Sequence, residues 1–224
     1  MRRLAFIAIG VGLAGGHVLA QATTNTALAT ATNTTPALTK EADEKAWSFG
    51  VSAYTYIVPE SRDYAQPTIT ADRGWLHLES RYNYEALDTG SAWLGYNFSG
   101  GKKLAWEFTP MLGGVFGETK GVAPGYKGSL SWWKLKLYSE GEYVFDAGQS
   151  ADNFFYNWSE LTLAPVDWFR FGLVTQRTRL YETDREIQRG VLVGFTCKRV
   201  DLSAYLFNPD DAKPTLVVAV GLTF

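Results

Sequence analysis

From Trp47 to Phe224 apolar and polar side chains alternate with a period of two, the repeat of an extended strand whose successive side chains point to opposite faces. Trp75-Leu76-His77-Leu78-Glu79 and Lys134-Leu135-Lys136-Leu137 carry the pattern, and near the end Leu216, Val218, Val220, Leu222 and Phe224 share one face. An amphipathic helical bundle needs a period near 3.6 and is excluded. Turn-forming residues cut the alternation near 59–63, 72–74, 86–89, 99–102, 117–120, 132–133, 147–152, 165–167, 182–185, 198–199 and 208–213, so eleven turns predict twelve strands. The turns alternate in kind. One set is short, as at Asp72-Arg73-Gly74 and Lys198-Arg199; the other is longer and richer in acid, as at Asp146 through Asp152 and Asn208-Pro209-Asp210-Asp211.

The polar face carries charges in mid-strand. His77, Glu79, Arg81 and Asn83 fall on one side of their strand, with Leu76, Leu78, Tyr82 and Tyr84 on the other. Further on, Lys136, Glu140 and Glu142 oppose Leu137, Tyr143 and Phe145. A soluble sandwich turns its apolar face inward, whereas a membrane barrel turns it to lipid and keeps a polar lumen. Alternation alone fits either arrangement.

The chain ends separate the two. Arg2 and Arg3 precede an apolar stretch from Leu4 to about Leu13, and Val18-Leu19-Ala20 closes the segment with a small residue, the plan of a cleaved export signal over residues 1–20. Residues 21–45 begin as Thr, Ala and Asn without an aromatic anchor and end in the charged run Lys40 to Lys45, predicting a flexible leader. No other stretch approaches the roughly 18 apolar residues of a membrane helix. At the far end, Val220-Gly221-Leu222-Thr223-Phe224 resembles the C-terminal signature of bacterial outer-membrane β-barrel proteins. That resemblance implies an all-β fold over residues 46–224, a transmembrane antiparallel up-and-down barrel of about twelve strands. An even strand number leaves both ends on the periplasmic side, with short turns there and longer loops outside. It further implies that Phe224 is read by the barrel assembly machinery and that outer-membrane lipid and lipopolysaccharide surround the wall.

Composition agrees. The 8 Trp, 12 Tyr and 13 Phe make up 15% of the chain, enough for the two aromatic girdles of a barrel. Of 21 Lys and Arg, two lie in the signal, so the remainder carries 19 basic against 23 acidic side chains, a net charge of −4 that argues against nucleic acid. The lone Cys197 permits no disulfide within the chain.

Inward parity predicts a lumen lined by Glu79, Arg81, Glu107, Lys127, Lys134, Lys136, Glu140, Glu142, Glu160 and Arg170. A hairpin turning at Trp132-Trp133 sets Lys127 opposite Tyr138 and diagonal to Glu140, with Glu140 level with Glu160. Lys127 and Arg170 are then the cations between the two carboxylates, and Glu107 meets Lys134 or Lys136. With Glu85 the count is six acids to five bases, a nearly neutral lumen. Two readings stay open: a narrow pore for small solutes selected by charge, or a non-conducting structural or adhesive barrel sealed by its own ion pairs. The pore is favoured because no loop looks long enough to fold in as a plug.

Arg177 and Arg179 follow the lipid-facing parity of Phe169, Phe171 and Leu173, unless a bulge near Gly172 turns them inward. Pro110 and Pro124 predict a pair of bulges in adjacent strands. Catalysis is not expected. After the signal His77 is the only histidine, and Ser80 lies three residues on and on the opposite face, unlike the His and Ser of barrel lipases. No metal-ligand or cofactor motif occurs in the sequence, so none is expected to bind.

Overall fold

The computed structural model describes residues 46–59, 61–147, 153–177 and 187–224. The expected signal, leader, Arg179 and the 182–185 turn lie outside them.

Thirteen antiparallel segments make the wall: β1 (Ser48–Ile57), β2 (Tyr64–Arg73), β3 (Leu76–Tyr82), β4 (Thr89–Tyr96), β5 (Phe98–Gly100), β6 (Leu104–Gly117), β7 (Gly121–Trp132), β8 (Leu135–Asp146), β9 (Phe154–Val166), β10 (Phe169–Arg177), β11 (Gln188–Cys197), β12 (Val200–Phe207) and β13 (Thr215–Thr223). Except for β4 and β5, sequence neighbours pair, β4 and β5 both pair with β6, and β1 also pairs with β13, so the sheet closes on itself. The strands β4 and β5 are two halves of one stave, parted at Asn97, and twelve staves form the cylinder.

Proline explains the parting. The pairing of β4 and β5 with β6 keeps one register throughout, in which Pro110 falls opposite Tyr96 and has no N–H to donate. Similarly, Val122↔Phe145 and Gly125↔Glu142 share a register while the pairing of β7 with β8 lapses at Ala123 and Pro124. The expected bulges are therefore absent at both prolines, which remove ladder bonds without shifting the strands. The register shift that does occur lies between Phe169 and Phe171, opposite the end of β9. Alternation along β10 survives it, so Arg177 stays exposed, its guanidinium 5.9 Å from the Phe155 ring.

Two-residue turns at Gly74-Trp75, Trp133-Lys134, Asp167-Trp168 and Lys198-Arg199 share one end with the start of β1 and the end of β13, and the longer connections among the described residues lie at the other. Outside, Leu94 (58% exposed), Leu112 (60%) and Leu173 (59%) belong to an extensive apolar belt. Trp75, Tyr96, Phe98, Trp132, Trp168 and Phe195 ring the short-turn end, and Tyr82, Phe116, Phe145 and Phe155 ring the other. A soluble monomer does not expose so much contiguous apolar surface. Its place is against lipid, between two aromatic girdles.

Candidate functional site

Charge is concentrated inside the cylinder. From β3, His77, Glu79 and Arg81 point inward and are buried. The imidazole is held on both sides, Nδ1 2.8 Å from Asp72 and Nε2 2.9 Å from Glu79. Arg81 donates to Glu79 and, from Nη1, to Glu142 on β8 at 2.7 Å. Lys127 on β7 donates to the same Glu79 and lies 3.9 Å from Glu140. These bonds join β3 to staves it does not touch along the wall, so they run as chords through the lumen. The Arg81 guanidinium also stacks on Tyr84 (4.2 Å) and Trp93 (4.6 Å). Trp93 can lie flat there because Gly113 faces it: a Cβ on Gly113 would come within 2.5 Å of the indole.

A second group is built from β9 to β12. Arg170 grips Asp201 with both terminal nitrogens, at 2.6 and 2.7 Å, and donates to Ser203 at 2.6 Å. It reaches them across β11 only because Gly194 leaves room, where a Cβ would lie 2.6 Å from the guanidinium carbon. Glu160 has neutral donors instead, Trp158 Nε1 at 2.8 Å and the Tyr205 hydroxyl at 3.0 Å. Tyr54, Trp158, Tyr205 and Phe207 pack edge and face around it, with centroids 5.1 to 6.4 Å apart.

Several expectations need correction. Tyr84 does not face lipid: β3 ends at Tyr82, and Asn83 takes the left-handed φ of 57°, which breaks the alternation. The segment 83–88 folds inward, burying Tyr84 and Glu85, and the Tyr84 hydroxyl donates to Glu140 on β8. Two side chains of a six-residue connection thus enter the lumen, where no loop was expected to fold in, while Leu87 and Asp88 stay exposed.

Lys127 lies opposite Glu140, not Tyr138, because the hairpin turns at Trp133-Lys134, with Trp133 at φ 54°. Glu160 lies opposite Tyr138, one inward pair away from Glu140. Arg170 pairs with Asp201 rather than standing between the two glutamates. Glu107 is exposed and accepts from Ser129 at 3.2 Å, while Lys134 donates to the Pro165 carbonyl. Lys136 keeps the inward parity of β8 and is half-buried. Asp72 and Asp201, both buried, belong to the lumen and were missed; each shares the parity of an inward neighbour, Thr70 and Ser203.

Between the two groups lies a cavity of about 60 Å³, lined among others by Glu79, Lys127, Glu140, Glu160, Arg170 and Asp201. An apolar exterior around a charged, partly hollow interior defines a membrane-spanning β-barrel, the inverse of a soluble one. In structural comparison the chain is similar to a KdgM porin, with a TM-score of 0.56 at 10% identity over 78% of this chain and 99% of that one. It is also similar to a KdgM porin in complex with disordered oligogalacturonate, with a TM-score of 0.54 at 10% identity over 79% of this chain and 99% of that one. At that identity the likeness is one of fold. Neither a protein-family model nor a curated protein sequence matches the chain.

Proposed function

We propose that the protein is an outer-membrane channel for small solutes, exported by the 1–20 signal, inserted by the barrel assembly machinery through Phe224, and set among outer-membrane lipid and lipopolysaccharide. The observation that carries this reading is the charged cavity inside a closed barrel, since a wall that only had to be stable would be served better by apolar packing than by desolvated ions. The porin-like fold supports it, and so does a neighbour that holds an oligosaccharide. The lumen residues act in this reading as the walls of a constriction, and no catalytic step is assigned to them.

A second reading has its own observation. The chords from β3 to β7 and β8, together with the inserted Tyr84, fill one side of the lumen and favour a sealed structural barrel. Conductance in planar bilayers decides between them. The channel reading expects small, uniform current steps from the wild type and larger ones from Tyr84→Ala. Protein proved folded by heat-modifiable migration, yet silent at every voltage, would establish the sealed barrel.

A further inference from the structure

By formal count the lumen is acidic. Asp72 and Asp201 raise the inward acids among the described residues from six to eight, while the bases remain Arg81, Lys127, Lys134, Lys136 and Arg170, with His77 shared between two carboxylates. The imbalance centres on the cavity, which meets Glu79, Glu140, Glu160 and Asp201 but only Lys127 and Arg170. Arg170 is committed to Asp201, and Lys127 is bonded to Glu79. Glu140 holds phenolic donors from Tyr84 and Tyr138 besides the more distant Lys127, and Glu160 holds indole and phenol donors alone. Neutral donors satisfy oxygens without cancelling charge.

Unmet hydrogen-bonding capacity points the same way. Glu142 is 3% exposed, yet its Oε1 has no donor, and both oxygens of the fully buried Glu85 and Oδ2 of Asp72 lack one too. Gln176 and Gln188 each leave an amide oxygen unpaired as well. On the donor side Arg170 Nε and the Thr70 hydroxyl are unpaired among the buried side-chain atoms described, against six acceptor oxygens. The interior is therefore short of N–H and O–H groups and of positive charge, and its tyrosine and tryptophan faces attract cations in their own right.

We infer that the passage selects small cations bearing N–H donors, of the primary ammonium class, and repels polyanions, with Glu140 and Glu160 as the selectivity-setting residues. This deepens the channel reading and rests on it. It also sets the chain apart from the neighbour that holds oligogalacturonate, an acidic sugar chain. Low-dielectric walls focus such a field on whatever enters.

The test uses the folded protein in planar bilayers under a potassium chloride gradient, with spermidine and trigalacturonate as probes. The inference expects K⁺ to be several-fold more permeant than Cl⁻, current reduced by spermidine and not by trigalacturonate, and both properties lost in Glu140→Gln/Glu160→Gln. No preference, a preference for Cl⁻, or cation selectivity unchanged in that double variant would overturn it. A silent wild type defeats the channel reading alone. Spermidine binding to the detergent-solubilised barrel, followed through tryptophan fluorescence, then decides the inference: binding lost in the double variant upholds it, and no binding by the wild type overturns it.

Discussion

Arg170 offers the most direct measure of how far internal charge pairing holds the barrel together. Arg170 is 5% exposed, and its guanidinium makes two bonds to Asp201, one to Ser203 and a longer one to Thr196, and rests over Gly194. Arg170→Met leaves Asp201, itself 7% exposed, with only the hydroxyls of Thr196 at 2.8 Å and Ser203 at 3.2 Å. Breaking a buried pair by removing one partner costs about 3–5 kcal/mol, because the remaining charge is stranded. Arg170→Met/Asp201→Leu removes both charges and should recover most of that loss, a coupling of roughly 2 kcal/mol or more between the two sites. Gly194→Ala supplies an independent arm. Its methyl meets the guanidinium, an overpacking cost of about 1–3 kcal/mol, and the cost should shrink in the Arg170→Met background, where a flexible thioether can give way. Urea unfolding in lipid vesicles, read by tryptophan fluorescence with heat-modifiable migration as the check on folding, gives all these values. A loss below about 1 kcal/mol for Arg170→Met, combined with equal damage from Gly194→Ala in both backgrounds, would show that the clamp contributes nothing to the fold.

Two further predictions concern orientation and assembly. In a Cys197→Ser background, a cysteine at Asp210 in the long-loop end should react with a membrane-impermeant maleimide on intact cells, whereas cysteines at Gly101 or Asp167 should not; labelling at Gly101 would invert the topology. Phe224 exchanges two backbone hydrogen bonds with Phe49, at 2.8 and 3.0 Å, and its ring lies 6.4 Å from that of Phe49. Deleting it should lower the outer-membrane yield and leave unfolded protein in the periplasm, and unchanged membrane levels on immunoblots would remove its assigned role.

The barrel was legible in the sequence because its rule is local: alternation fixes the face of each side chain, and turn residues fix where a strand ends. His77, Glu79 and Arg81 could be placed inward by counting along one strand. What joins them could not, since Arg81 and Glu142 lie 61 positions apart and meet through the lumen. Hairpin register is open to a shift of two, which preserves facing and changes partners, so turn counting sets Lys127 opposite Tyr138 where the structure sets it opposite Glu140. Tyr84 was misplaced for a different reason. Parity stops being informative where the strand stops, and only the left-handed backbone at Asn83 shows that β3 has ended. Asp201 is readable from its alternation with Leu202.

The two prolines and the ion-pair chords bear on the same stretch of wall. Pro110 interrupts the joint of β4 and β5 with β6, Pro124 interrupts that of β7 with β8, and each missing backbone bond forgoes about 0.5–1.5 kcal/mol of net stabilisation. Both joints lie within the arc of wall from β3 to β8, which the Arg81–Glu142 bond spans from the inside, while the Lys127–Glu79 bond spans its part from β3 to β7. They act as a tie rod acts beneath an arch, holding the feet together where the masonry is thinnest. On that side, side chains reinforce the sheet, and cutting the tie is expected to let the arch flatten and change the shape of the space that it encloses.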